Sequence, residues 1–196
     1  MALTDFTLTE VETLLRDSYH PAVTAHLEYE VFAGFRNKKA IQEFEAALSH
    51  LVSAFLEDDS SELVHFKSHC DRVAIETTEY VAESYLLILR SRIDPYYKHP
   101  RLAKFLLLSK PTRVSDEYGE LKKMQDLVAE GRQNKGHDHS MQKSLSCFQQ
   151  AVKIGKRLDK SIPFCPFGDR LFAVILSAVM LLLGFLLGLF ASALAG

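Results

Sequence analysis

The sequence predicts an all-α protein: a cytosolic bundle of about five helices followed by one C-terminal transmembrane helix. Apolar residues recur at spacings of three and four over most of residues 7–160, which is the period of an amphipathic helix. Glycine and proline fall between these stretches, where they end helices, and not in hairpin turns. Residues 171–196 contain no charged side chain, which is typical of a membrane span.

Composition excludes several classes of protein. The net charge is -2, so the chain lacks the basic excess of a protein that binds nucleic acid through its overall charge. The N-terminus carries Asp5 and no basic or apolar signal-peptide region, so we expect no leader. Cys70, Cys147 and Cys165 are too few and too scattered for a disulfide framework, which favours a reducing compartment.

The first two helical stretches are separated by a proline. Thr7 and Glu10 form a capping box that predicts the first helix start. Pro21 should kink or divide this helix, giving a second piece over 22–35. Gly34 and Asn37 then suit a short turn.

The next two helices should form an antiparallel hairpin. One helix is predicted over 38–57, and Asp59 can cap the following helix over 62–93, which Asp94-Pro95 should end. Seam positions on the longer helix have heptad-like spacing: Leu63, Phe66, Cys70, Val73, Thr77, Tyr80, Ser84 and Leu87.

Three further helices are predicted before the tail. A short apolar helix should cover 100–108, between prolines. The next should begin with Ser115 or Asp116 as cap and end near Gly131, followed by a polar break. The last runs from about Ser140 to Lys160, with Met141, Leu145, Phe148 and Val152 on one face. We therefore assign 1–162 to the bundle, 163–170 to a juxtamembrane linker and 171–195 to the transmembrane helix.

The apolar tail predicts a tail-anchored, single-pass membrane protein. A helix over 171–195 would be about 37 Å long, enough to cross a hydrocarbon core of about 30 Å. Phe164, Phe167 and Arg170 should lie at the membrane interface. The positive-inside bias puts the N-terminal domain in the cytoplasm, because the residues before the span include Lys153, Lys156, Arg157, Lys160 and Arg170 against Asp159 and Asp169.

The tail also carries small residues spaced four apart. Gly184 and Gly188 form a GxxxG pattern, which Ser192 and Gly196 extend. Small residues at this spacing let two helix backbones approach closely in lipid. We predict a homo-oligomer that assembles through this helix and the bundle, with Gly184, Gly188 and Ser192 at the contact.

The histidines raise the alternative of a metal site. Glu62 and His65 form one Glu-x-x-His motif, His65 and His69 share a helix face, and His26 and Glu30 do likewise. Di-iron bundles use two such motifs and two further glutamates. Because this chain has one motif, we predict no metal and no cofactor, and a solvated or partner-facing histidine face.

A polar cluster, Arg132-Gln-Asn-Lys-Gly-His137, follows the helix that should end near Gly131. It resembles the R-x4-6-H signature of HEPN-type helical domains, some of which occur in membrane-bound CRISPR-associated and other antiviral accessory proteins. The resemblance implies a dimeric ribonuclease in which His137 moves a proton and Arg132 holds the scissile phosphate. The other interpretation is a polar interhelical turn, flanked by Gly131 and Gly136.

Two functions remain after this reasoning. The first is a tail-anchored oligomeric interaction module or pore-type effector, with the lipid bilayer, a second copy and a further protein as partners. The alternative is a membrane-tethered, metal-independent ribonuclease that uses Arg132 and His137, the one case in which RNA is a partner. The sequence alone leaves open whether the chain is an enzyme.

Overall fold

The structure, a computed structural model, describes residues 5–98, 112–135, 141–161 and 177–183. Every regular element among these residues is helical, which confirms the all-α prediction. The helices of the bundle are α1 (Asp5–Leu14), a π-helical turn (Leu15–Tyr19), α2 (His20–Ala33), α3 (Lys38–Glu57), α4 (Ser61–Lys98), α5 (Thr112–Asn134) and α6 (Met141–Ser161).

The helical backbone runs unbroken from Asp5 to Ala33, and the predicted division is a change of helix type just before Pro21. Pro21 lies at the start of α2, where its missing N–H costs the helix least in backbone hydrogen bonding. Before it, the backbone widens into the π-helical turn, and the His20 N–H donates to the Leu15 carbonyl. At the other end of α2, Gly34 adopts a left-handed conformation with φ of 74°, which glycine takes without steric cost.

The α3–α4 hairpin begins as the sequence predicts. The Asn37 side chain accepts a hydrogen bond from the Ala40 N–H at 3.2 Å, and α3 has the predicted bounds. Asp59 accepts from the Ser61 N–H at 2.8 Å and so caps α4. The predicted stop of α4 at Asp94-Pro95 is wrong. Pro95 removes one backbone hydrogen bond, but the chain keeps its helical course to Lys98.

The heptad seam of α4 is confirmed only in its first half. Leu63, Phe66, Cys70, Val73 and Thr77 are buried. Beyond them Tyr80 and Leu87 are exposed, and the buried positions are Val81, Ala82, Leu89 and Ile93. A straight helix drifts by about 20° per heptad from a strict seven-residue repeat. In its second half α4 packs with α5 and α6 around Leu89, Met124 and Phe148.

Helix α5 is longer than predicted at both ends, since it begins at Thr112 and runs past Gly131 to Asn134. Gly131 lies inside the helix, and the Phe148 ring occupies the space that a side chain would take there. A Cβ at Gly131 would lie 2.7 Å from Phe148 Cε1. Nearby, the Ser144 hydroxyl donates to the Gly131 carbonyl at 2.8 Å. Helix α6 has nearly the predicted bounds, and the predicted helix over 100–108 lies outside the described residues.

Helix α4 is the axis of the bundle. Helix α3 runs antiparallel to it, with Lys39 beside Glu76 and His50 beside Glu62. Helix α6 runs parallel to it, since Met141 shares a surface groove with Val64 and Lys67, and Arg92 pairs with Asp159 at the far end. Helices α2 and α5 complete the bundle against α4. The core lies along this axis in three neighbouring clusters of buried residues, with Phe66, Leu89, Met124 and Phe148 fully buried.

Candidate functional site

Arg132, one half of the predicted ribonuclease pair, lies in the last turn of α5. Its Nε donates to Glu79 Oε1 at 3.0 Å, and its terminal nitrogen contacts Glu83. Lys135 Nζ donates to the other oxygen of Glu79 at 2.6 Å. His137 lies outside the described residues. The Arg132 guanidinium is thus engaged by two carboxylates of α4 and tied to the bundle.

Glu79 is the anionic centre of this cluster. Its side chain is only 15% exposed. Burial opposes its ionisation, but hydrogen bonds from Lys135 and Arg132, together with their positive charges, outweigh that effect and lower the pKa of Glu79. The ionised carboxylate therefore stabilises the contact between α4 and α5. The Arg132 side chain is itself 56% exposed, so a phosphate group that reached the guanidinium would share it with these carboxylates.

A second polar cluster lies between α3 and α4 near the hairpin turn. The ring of His50 lies between those of His65 and His69, with centroids 5.1 and 5.2 Å away and interplanar angles of 31° and 19°. His50 Nδ1 is 2.5 Å from Glu62 Oε2. His69 Nδ1 is 2.7 Å from Glu43 Oε2. We call His50, His65 and His69 the imidazole stack.

Carboxylates and one arginine surround the imidazole stack. Arg72 pairs with Glu43 at 3.0 Å. Burial acts against ionisation of Glu43, but hydrogen bonds from His69 and Arg72 lower its pKa overall. Hydrogen bonds from Ser61 lower the pKa of Asp59, with a smaller contribution from the nearby His65.

The stack is not a preformed metal centre. Within the described part of the chain, no group of three or more histidine, cysteine, aspartate or glutamate side chains is arranged to hold a metal ion. The rings of His50 and His69 are stacked, and those of His50 and His65 are tilted. Metal ligation instead requires the ring nitrogens to converge on one point.

The two described cysteines are packing residues. Burial raises the pKa of the Cys70 thiol to about 12 and also raises that of Cys147. A thiol in such surroundings stays protonated and is a poor nucleophile. Neither residue is therefore a catalytic candidate. Cys165 lies outside the described residues.

Apolar side chains are exposed on the outer surface of the bundle. Leu27 and Val31 on α2 are 53% and 87% exposed, and Phe35, which follows the end of α2, is 56% exposed. We call these three residues the α2 stripe. Leu27 and Val31 also line a groove of about 620 Å³ with Val81 and Tyr85 of α4. On α3, Leu48, Val52 and Leu56 form a second exposed row with a spacing of four.

The predicted tail is described only over residues 177–183, which are helical. The side chains from Val179 to Leu183 are between 47% and 75% exposed, so the bundle does not cover them. Among the described residues, no helix is both long and apolar enough to span a membrane. The remaining predicted tail and linker residues lie outside the described ranges: Phe164, Phe167, Arg170, Gly184, Gly188 and Ser192.

Sequence reasoning missed His50 as a partner of His65 and His69. The predicted hairpin does contain a signal for this contact. Residues at about equal distances from a turn face each other across two antiparallel helices. The turn at 58–60 therefore brings His50 of α3 opposite the 65–69 region of α4. The exposed rows on α2 and α3 were also missed, since apolar spacing alone does not tell which face of a helix is buried.

No protein-family model, curated protein or solved structure matches this chain.

Proposed function

We propose that this protein is a membrane-tethered, self-associating interaction module whose N-terminal bundle lies in the cytoplasm. The observation that carries the proposal is the uncharged segment 171–195, part of which is a helix whose apolar side chains the bundle leaves exposed. An apolar helix left uncovered by its own domain needs another apolar environment. A bilayer supplies that environment along the full length of the segment.

Self-association is supported by two features on different parts of the chain. The small-residue spacing of Gly184, Gly188 and Ser192 suits close packing of two tail helices in lipid. The α2 stripe gives the bundle an apolar surface that a second copy can cover. Assembly through both would hold bundles side by side on the membrane, where they can recruit a further protein or act together on the bilayer.

On this proposal Arg132 stabilises the fold. Its contacts with Glu79 and Glu83 give the guanidinium a structural role that needs no RNA. Cleavage of RNA through Arg132 and His137 remains the alternative prediction. Incubating the full chain with labelled RNA in a metal-chelating buffer separates the two functions. Cleavage that is lost in both Arg132→Ala and His137→Ala would favour the ribonuclease.

The membrane proposal is tested by placing charges in the segment. In the full chain, Leu182→Arg with Leu186→Arg should move the protein from the membrane fraction to the soluble fraction. Each charge at the centre of a span costs about 2.5–3.5 kcal/mol. Phe172→Arg is the matched control, because its charge can reach the headgroups beside Arg170. Retention of the double variant in membranes after alkaline extraction would reject the proposal. Protease added outside sealed vesicles tests which side the bundle occupies.

A further inference from the structure

Helix α6 carries a row of basic side chains in its last turns. Residues spaced three and four apart lie on one side of a helix, and four exposed cations follow this spacing here: Lys153, Lys156, Arg157 and Lys160. We call these four residues the basic face. The opposite side of the same turns is buried in the core through Ile154 and Leu158. The basic face therefore points away from the bundle.

Helix α6 itself supplies no carboxylate to the basic face. Its one acidic residue, Asp159, pairs with Arg92 of α4 at 2.7 Å. Among the described residues, no carboxylate pairs with Lys153 or Lys160. These two lysines are therefore the uncompensated charges of the face.

The other two cations of the face pair with neighbouring helices. Lys156 lies 3.0 Å from Glu28 of α2, and Arg157 contacts Glu120 of α5. Four cations against two carboxylates leave an excess of two positive charges. All four paired side chains are between 37% and 63% exposed, and exposed ion pairs hold their partners weakly. Lys156 and Arg157 can therefore exchange their carboxylates for other anions.

The basic face is close along the chain to the uncharged segment. Nine residues, 162–170, separate Ser161 at the end of α6 from Leu171, where that segment begins. A chain of this length reaches at most about 30 Å, and the face itself is about 10 Å long. A connection this short makes the encounter of the face with the membrane intramolecular, which gives weak contacts a high effective concentration.

We propose that the basic face docks α6 on the anionic headgroups of the leaflet that holds the tail. The proposal rests on the membrane tether proposed above and adds the lipid chemistry that the bundle recognises. Clusters of lysine and arginine beside a membrane span attract anionic lipids such as phosphatidylserine, because these lipids give the cytoplasmic leaflet a negative surface potential. The exposed residues of α6 include no large apolar side chain, so charge complementarity determines what this surface binds.

NMR of the full chain in lipid nanodiscs measures the docking. One set of discs contains phosphatidylcholine alone, and the other contains equal parts of phosphatidylcholine and phosphatidylserine. Both contain a trace of lipid with a paramagnetic chelate on its headgroup. Backbone amides over 150–160 should be broadened more in the anionic discs than in the neutral discs. This difference should disappear in about 1 M salt, where the Debye length falls to about 3 Å.

Charge variants separate the basic face from the overall charge of the protein. Lys153→Gln with Lys160→Gln removes the uncompensated charges and should abolish the difference between the two discs. Lys67→Gln with Lys143→Gln is the matched control, because it removes the same charge near the start of α6 and should preserve the difference. Glu28→Gln removes one competing carboxylate and should increase the broadening in anionic discs.

Two results would overturn the docking while the chain still copurifies with both discs. One is equal broadening of the wild type in neutral and anionic lipid. The other is a lipid difference that persists in the variant Lys153→Gln with Lys160→Gln. A chain that purifies apart from both discs would instead overturn the membrane tether, and the docking with it.

Discussion

At the scale of single residues, the two glycines of α5 have opposite roles. Gly131 lies against the ring of Phe148, which is fully buried, whereas a Cβ at the exposed Gly119 would meet no atom within 4 Å. Glycine costs a helix interior about 1 kcal/mol relative to alanine. Replacing glycine with alanine therefore stabilises the helix only where there is room for the added Cβ.

We predict that Gly119→Ala stabilises the protein and Gly131→Ala destabilises it. The first change should gain about 1 kcal/mol of unfolding free energy. The second adds a methyl group 2.7 Å from Phe148 Cε1, and overpacking of this kind costs about 1–3 kcal/mol. Urea unfolding of both variants, followed by circular dichroism at the helix band, measures the difference. Equal stability of the two variants would contradict the packing of α5 on α6.

Glu79 gives the α4–α5 contact a dependence on pH. Its folded-state pKa lies below the ordinary 4.5, so its charge stabilises the fold above that value. The stabilisation is lost as the pH falls through the lowered pKa. Glu79→Gln should therefore lower the free energy of unfolding at pH 7 by about 1–3 kcal/mol relative to the wild type. Urea unfolding measures this difference. The difference should shrink below pH 4.5. Glu45→Gln, on the exposed face of α3, is the control and should show little change at either pH.

At the scale of elements, α4 changes partners along its length. Its first half is buried against α3 and the N-terminal helices around Phe66 and Cys70. Its second half joins α5, α6 and Tyr29 of α2 in a second cluster around Leu89, Met124 and Phe148. The buried face of α4 therefore cannot follow one strict seam, and neighbouring leucines in the second half should differ in their importance.

Leu89 and Leu87 test this change of face. Leu89 is fully buried, whereas Leu87 is 71% exposed although the heptad pattern placed it in the seam. Leu89→Ala should lower the free energy of unfolding by about 2–5 kcal/mol, the cost of deleting a buried leucine. Leu87→Ala should change it by no more than about 0.5 kcal/mol in the isolated chain. A larger loss for Leu87→Ala in thermal unfolding would mean that another surface covers this residue.

At the scale of the whole molecule, the bundle and the apolar segment have different requirements. The bundle buries its own core around α4, with Phe66, Leu89 and Phe148 excluded from solvent. The segment 177–183 contributes no side chain to that core. The two parts should therefore respond independently to substitutions, because they share no buried contact among the described residues.

We predict that the protein self-associates through its tail. Gly184→Ile with Gly188→Ile should weaken detergent-resistant oligomers by about 1 kcal/mol or more, because larger side chains hold two helix backbones apart. Leu183→Ile with Leu187→Ile changes the same helix away from the small-residue positions and is the control. Analytical ultracentrifugation in detergent measures both. Unchanged oligomers in the glycine variant would assign assembly to the bundle, where the α2 stripe is the next surface to substitute.

Local sequence patterns predicted the helical class, the bounds of α3, those of α6 to within one residue, and the buried positions of α4 as far as Thr77. These features depend on caps and apolar spacings within a few residues of each other, as with Asn37 and Ala40. Packing between helices had to be seen before the other features were known. Helix α5 continues through Gly131, and the buried face of α4 turns toward Leu89. Arg132 pairs with Glu79 and Glu83, and His50 enters the imidazole stack. Each of these depends on side chains distant in sequence, whose meeting is set by the register and rotation of packed helices and not by local propensity.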